Sequence, residues 1–360
     1  MGRKFNFGAG PSTLPEEVLA EAAKELVDYK GLGLSIMESS HRAKMYDDVH
    51  CEAIALIKEL LKVPDNFNIA FLQGGASLQF AMVPMNLLPA NEKAQYINTG
   101  TWTKKAIQEA QVLEKNIEVI ASSADTNFDR IPAEYAIADD AKYLFIASNN
   151  TIYGTQYKEL PNTNGIPLIV DASSDIFSRP INWTNIGILF AGAQKNAGPS
   201  GVTIAIVRND LTDAVPASVP TLLKYKTQID ANSLYNTPPT FGIYMLGLVM
   251  KWLKGQGGVE AIQKVNEEKA NLIYNAIDNS DGFYKGHAQL NSRSIMNISF
   301  TLKDKELDSD FLAKAAEKGL IALKGHRSIG GMRASIYNAM PFEGAKALAD
   351  FMDEFKNNNK

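Results

Sequence analysis

Lys195 lies in the segment ILFAGAQKNAGPSG (188–201), among small uncharged residues at the end of an apolar run, with no carboxylate close by in sequence. If such a lysine is buried, desolvation disfavours its charged form and leaves a nucleophilic amine. Imine formation with a carbonyl is the chemistry that most often uses one, and pyridoxal phosphate is the commonest carbonyl in that role. The bland alternative is a surface lysine following a strand. The other parts of such a site must therefore be sought elsewhere in the chain.

Asp171 closes the run IPLIVD and opens DASSD. A carboxylate at the end of a buried strand is costly unless it meets a cation or donors. A protonated pyridine nitrogen is one such cation; capping of the next turn is the plainer role. Its spacing from Lys195 suits adjacent strands with one intervening element. Gln73-Gly74-Gly75-Ala76-Ser77 follows IAFL and precedes the helical pattern LQFAMVPMNLL. Glycines there let backbone N–H groups converge at a helix N-terminus, a phosphate cup without a Walker lysine. Trp102, in NTGTWTKKA, offers an indole able to stack on an aromatic ring. Thr151 and Ser174 are hydroxyls at similar strand ends.

Basic residues gather at Ser39-Ser40-His41-Arg42 and at Gly325-His326-Arg327-Ser328, the latter followed by Gly330-Gly331-Met332-Arg333. Solvated basic loops explain both. Arginine forks beside histidines also suit carboxylate and doubly charged phosphate. The four histidines are spread along the chain without a metal-ligand spacing.

The elements that must position these groups read as strand–helix alternation from about residue 16 to 255. Expected strands are Ile69–Leu72, Gln95–Ile97, Tyr143–Ile146, Pro167–Val170, Gly187–Ala191 and Val202–Val207, with an amphipathic helix over Thr103–Lys115. This predicts an α/β fold, a mainly parallel sheet between helices, with ligands at the carboxyl ends of the strands. The stretch KGQGGV (254–259) is the expected hinge. Beyond it, strands over Ser294–Leu302 and Met332–Tyr337 and helices over Asp308–Gly319 and Glu343–Lys356 predict a smaller α+β domain. The expected division is 16–256 for the large domain and 1–15 with 257–360 for the small one.

The chain has 360 residues, 45% hydrophobic and 21% charged, with a net charge of −4. That balance argues against a nucleic-acid or anionic-membrane surface. No apolar run approaches the roughly 18 residues of a membrane span, and no secretory pattern opens the chain. The single cysteine, Cys51, excludes an intrachain disulfide, and its helix pattern HCEAIALIKELL predicts a small buried residue. A cytoplasmic protein is expected.

Eight ordered segments carry a specific resemblance: NFGAGPSTLPEEVL (6–19), SHR (40–42), FLQGGASLQF (71–80), NTGTWTKKA (98–106), DASSDIFSRP (171–180), AGAQKN (191–196), YNTPP (235–239) and GHRSIGGMRASIYNA (325–339). The chain resembles the phosphoserine aminotransferase family, fold-type I pyridoxal phosphate enzymes of the class V aminotransferase group. The resemblance implies amino transfer from glutamate to 3-phosphonooxypyruvate in serine biosynthesis, and leaves open the phosphorylated threonine analogue of vitamin B6 synthesis. It implies that Lys195 holds the cofactor as an imine and shuttles the α-proton. Asp171 would pair with the pyridinium, Trp102 stack on the ring, and Thr151 hydrogen-bond the cofactor. Ala76, Ser77 and Gln194 would bind its phosphate, joined by Asn236 and Thr237 from a second subunit, which makes the protein a homodimer with shared sites. Arg333 would take the substrate α-carboxylate, and His41, Arg42, His326 and Arg327 would surround the distal phosphate or carboxylate. Two positions depart from the family pattern: Gly8 replaces a serine, and Asn150 stands where a glutamate is usual.

Two other readings compete. A fold-type I lyase such as a cysteine desulfurase needs a mobile nucleophilic cysteine, which Cys51 does not resemble. A phosphate-binding protein without catalysis would dispense with Lys195 altogether.

Overall fold

The structure, a computed structural model, describes residues 2–359. Its centre is a seven-stranded sheet of β1 (Phe67–Leu72), β2 (Lys93–Asn98), β3 (Ile117–Ser122), β4 (Ala141–Ala147), β5 (Leu168–Asp171), β6 (Ile186–Gly192) and β7 (Thr203–Arg208), in the spatial order β1-β7-β6-β5-β4-β2-β3. Only β7 runs against its neighbours; the other pairs are parallel. All six expected strands are present within one or two residues.

Alternation along each strand feeds two cores. On β6, Leu189 and Ala191 join a cluster with helices α2 (Lys44–Leu61) and α5 (Thr240–Gly255), while Ile188 and Phe190 join one with α3 (Gly75–Leu87) and α4 (Thr101–Val112). Helix α1 (Glu16–Glu25) packs beside α5. Central strands are apolar on both faces because both are covered.

A third core holds Phe7 and residues from Ala270 to Phe355. It is built from the three-stranded antiparallel sheet β8 (Tyr284–Gly286), β9 (Asn297–Leu302) and β10 (Met332–Ser335), with α7 (Asp308–Glu317) and α8 (Phe342–Asn358). Helix α6 (Gly258–Asp278) is shared: Val259 and Ile262 belong to the first core, Ala270 and Ile273 to the third. The glycine stretch before it breaks α5 from α6, with Gly257 at φ +92° and Gly258 at φ +77°.

Three features differ from expectation. Strand β3 was not foreseen; it is a half-exposed edge strand that lacks the apolar run of its buried neighbours. The β5–β6 connection is a series of turns where one intervening element was expected. Cys51 is exposed, not buried. It lies beside the inward stripe of α2 marked by Tyr46, Val49, Ala53 and Ile57, on the same flank as Asp47, whose carboxylate accepts the thiol at 3.7 Å.

No helix among the described residues is long and apolar enough to cross a membrane.

Candidate active site

Six strands running in one direction end at the same rim, so the residues that follow them converge. After β6 a tight turn, closed by Ala197 and Gly198 N–H groups on the Ala193 carbonyl, projects Lys195. Its Nζ donates to Thr151 Oγ1 at 2.6 Å and stands 5.1 Å from the centre of the Trp102 ring. Burial pushes its amine down to about 8; Asp171 pulls the other way and Arg333 adds to the fall. At neutral pH the neutral amine is thus an accessible minority form.

Asp171 ends β5, paired in register with Phe190 of β6 and Ala147 of β4. One of its oxygens accepts the Ser173 N–H at 3.0 Å and the Ser173 hydroxyl at 2.6 Å. The other has no hydrogen-bond partner among the described residues. Burial raises the carboxyl pKa, and these Ser173 bonds and Lys195 hold it back. An acid so placed is suited to a cationic N–H.

The turn after β1 opens α3 with Gly74 at φ +84° and Gly75 at φ +64°. The first-turn N–H groups, including those of Ala76 and Ser77, have no intrahelical acceptors. The Gln194 side chain folds against Gly192, where a Cβ would come within 2.6 Å of its Oε1. Trp102 Nε1 is buried without a partner. These free donors, a half-satisfied acid, a ring face and a softened amine fit pyridoxal phosphate in its anionic, cationic, aromatic and carbonyl parts. Asn236 and Thr237 lie beside the same turn of their own chain, where Gln73 Nε2 donates to the Thr237 carbonyl at 3.2 Å.

Arg333, on β10, is half-buried and forms no ion pair among the described residues; burial lowers its pKa, and Tyr337 opposes the fall. It is close enough to disfavour charge on both Lys195 and His326. His326 accepts the Ser328 N–H through Nδ1 at 3.2 Å, and Arg327 is exposed next to it. His41 Nε2 is buried and unpartnered, and Arg42 is exposed. Within one chain no hydrogen bond or ion pair joins His41 or Arg42 to the group around Arg333.

Sequence reasoning missed three contributors. Ser173 orients Asp171, and only the folded turn reveals it. Tyr337 lies just past β10, with its hydroxyl donating to the Ala9 carbonyl at 2.8 Å and accepting from Asn297 Nδ2 at 3.2 Å. Burial pushes its pKa up to about 12, while Thr151 and Arg333 beside it oppose the rise. The third is the strap Phe5–Thr13: Ser12 donates its N–H to the Gln194 carbonyl and its hydroxyl to that of Lys195. Gly10, at φ +140°, lets the strap pass so close that a Cβ would lie 3.2 Å from Lys195 Cγ. A clue stood in the opening motif, but not its partner.

The two departures are locally accommodated. Gly8 donates its N–H to Asn6 Oδ1, which a Cβ would approach to 2.9 Å. Asn150 uses both ends of its amide, accepting from Thr99 Oγ1 at 3.3 Å and donating to Thr155 Oγ1 at 3.1 Å.

The family model described as Aminotransferase class-V matches residues 4–348. A phosphoserine aminotransferase from Lysinibacillus sphaericus is 55% identical over 98% of each chain. A solved phosphoserine aminotransferase from Bacillus circulans subsp. alkalophilus superposes with a TM-score of 0.97 at 50% identity, covering 99% of each chain. A PLP-bound phosphoserine aminotransferase from Trichomonas vaginalis gives 0.93 at 38% identity, covering 98% of this chain and 100% of that one. The seven-stranded, mainly parallel sheet with its smaller carboxyl-terminal unit is the fold of the fold-type I aminotransferases. Within that class, the chain belongs to the phosphoserine aminotransferase family.

Proposed function

We propose that this chain transfers an amino group between L-glutamate and 3-phosphonooxypyruvate, yielding 2-oxoglutarate and O-phospho-L-serine for serine biosynthesis, with pyridoxal 5'-phosphate held covalently at Lys195. The observation that carries this is the Lys195 amine, lowered to about 8 and set between Thr151 and the Trp102 face, opposite Asp171.

When bound, pyridoxal phosphate supplies the carbonyl that captures the amino group and a protonated ring that accepts electrons as the Cα–H bond breaks. Asp171 holds the proton on the ring nitrogen with its unbonded oxygen, and Trp102 covers the ring. The turn at Ala76 and Ser77, with Gln194, receives the phosphate. Lys195 would take the proton from the substrate Cα and return it on the far side of the transferred nitrogen, at the carbon of the cofactor's carbonyl, with Thr151 accepting one of its N–H bonds and so aiming its lone pair. Arg333 binds the α-carboxylate as a fork. His41, Arg42, His326 and Arg327 serve the distal anion, a carboxylate in one half-reaction and a phosphate in the other. The phosphohydroxythreonine pair of vitamin B6 synthesis carries the same terminal groups and is the second substrate proposed.

The working unit is proposed to be a cytoplasmic homodimer, with Asn236 and Thr237 of one subunit completing the phosphate cup of the other. Residues 16–256 form the cofactor-holding domain; 1–15 and 257–360 form the smaller one that brings Arg333.

A spectrum of the purified, cofactor-loaded protein tests the activity: glutamate alone should bleach its visible band and release 2-oxoglutarate, and Lys195→Ala should do neither. A band indifferent to glutamate would refute the reading. Subunit sharing has its own test. Mixing and refolding Lys195→Ala chains with Asn236→Ala/Thr237→Ala chains should restore activity, because one site of each hybrid is then intact. Hybrids that stay inactive would place both groups in one chain.

A further inference from the structure

Lys269, in the middle of α6, is fully buried and has no acid partner among the described residues. Its Nζ meets three backbone carbonyls instead: Ile336 at 3.1 Å, Tyr337 at 2.9 Å and Met340 at 3.0 Å. Burial pushes its pKa down to about 7. The ammonium has three N–H donors, one for each carbonyl, whereas the neutral amine has two and would leave one contact without a proton, so the carbonyls oppose the effect of burial. An apolar residue would be easier to bury, but would leave the Ile336 and Met340 carbonyls without donors; the Tyr337 carbonyl would keep the Met340 N–H.

The segment so gathered adjoins the turn that carries Lys195. Tyr337 presents its hydroxyl to the strap at Ala9 and stands beside Thr151 and Arg333. Asn338 is stitched to the residue next to Lys195: its N–H donates to Asn196 Oδ1 at 2.9 Å. Its own amide donates to the Phe177 carbonyl at 2.9 Å and accepts from Asn266 Nδ2 at 2.8 Å. Asn266 and Lys269 are one turn apart on α6, so a single helix face grips both edges of the loop.

We propose that Lys269 is a positioning residue for the transamination: by gathering the 336, 337 and 340 carbonyls it fixes Tyr337 and Asn338 against the Thr151–Lys195 wall. It touches neither substrate nor cofactor. The proposal rests on Lys195 being the reacting amine.

The test compares wild-type holoenzyme with Lys269→Met, alone and combined with Tyr337→Phe. Hydrogen exchange of the 336–340 amides should rise in Lys269→Met. Its kcat should fall about tenfold while KM for glutamate moves less than about threefold, since geometry rather than binding is lost. In the Tyr337→Phe background, Lys269→Met should lower kcat less than about threefold further, because both act through the same side chain. If Lys269→Met does not fold, Lys269→Gln, which keeps two N–H donors, carries the same comparison with smaller effects. A folded variant with native kcat and a lower melting temperature overturns the proposal, as does full additivity with Tyr337→Phe. Unchanged exchange at 336–340 overturns it whatever the activity shows; a wild-type protein that glutamate does not bleach counts against the functional reading instead.

Discussion

Ser173 gives both its backbone N–H and its hydroxyl to one oxygen of Asp171, at 3.0 and 2.6 Å, two residues along the chain. The same hydroxyl oxygen accepts the N–H of Gly192, at the end of the strand that leads to Lys195. One small side chain thus ties the acid to the strand of the amine. Burial raises the Asp171 carboxyl, and the Ser173 bonds oppose that rise. In Ser173→Ala the pKa should climb further, so the acid limb of kcat/KM moves to higher pH. Activity should fall more at pH 6 than at pH 8. An acid limb that stays in place would show that Ser173 only fills the turn.

The amine at Lys195 provides a second pH test. Only its neutral form is nucleophilic, so the cofactor-free chain should take up pyridoxal phosphate at a rate that climbs with pH and levels off above about 8. Asp171→Asn removes a charge that favours the ammonium and should move the midpoint down. Arg333→Leu removes one that disfavours it and should move the midpoint up. Stopped-flow absorbance reads both, and shifts of the same sign would contradict the electrostatic account.

Gly10→Ala adds a Cβ 3.2 Å from Lys195 Cγ at a φ of +140°. Backbone strain of that kind costs about 1–3 kcal/mol. The variant should melt several degrees lower and lose roughly tenfold in kcat as the strap lifts. Gly2→Ala, where a Cβ meets nothing within 4 Å, is the control and should match wild type in both measurements.

Trp102→Leu keeps an apolar side chain but removes the ring face near Lys195 and the buried indole N–H. Loss of stacking worth about 0.5–1.5 kcal/mol should weaken cofactor retention roughly threefold to tenfold. Equilibrium dialysis followed by absorbance measures this, and unchanged retention would remove Trp102 from the cofactor site.

The rim of the sheet was legible because buried parallel strands are nearly continuous apolar runs, and the polar residue closing each run stands out: Asp171, Thr151 and the turn before Ala76 are all of this kind. Strand β3 escaped because an edge strand is half wet and its run IEVIAS follows directly on a helix pattern. Cys51 was misplaced because helix periodicity identifies an inward stripe only once its centre is known, and the polar flank with Asp47 decided otherwise. Ser173 and Lys269 were invisible for a different reason. Their partners are carbonyls and carboxylates whose direction is set by turns, which a one-dimensional pattern does not record. Tyr337 looked like the last residue of a strand, and its hydroxyl acquires meaning only from Ala9, at the opposite end of the chain.

That last contact has a consequence for how the protein is made. Phe5 and Phe7 hydrogen-bond Gly319 and Ile321, Ser335 returns a bond to Phe7, and Tyr337 reaches Ala9. Residues 5–9 therefore pair with residues 319–337 and cannot do so before that stretch has been made. A nascent chain can build the central sheet early, since its strands lie between residues 67 and 208, yet it cannot close the wall around Lys195 until Tyr337 has been added. A chain that stops short of Tyr337 would accordingly hold a finished sheet with an unlatched strap, its Ala9 carbonyl lacking the phenol that fastens it.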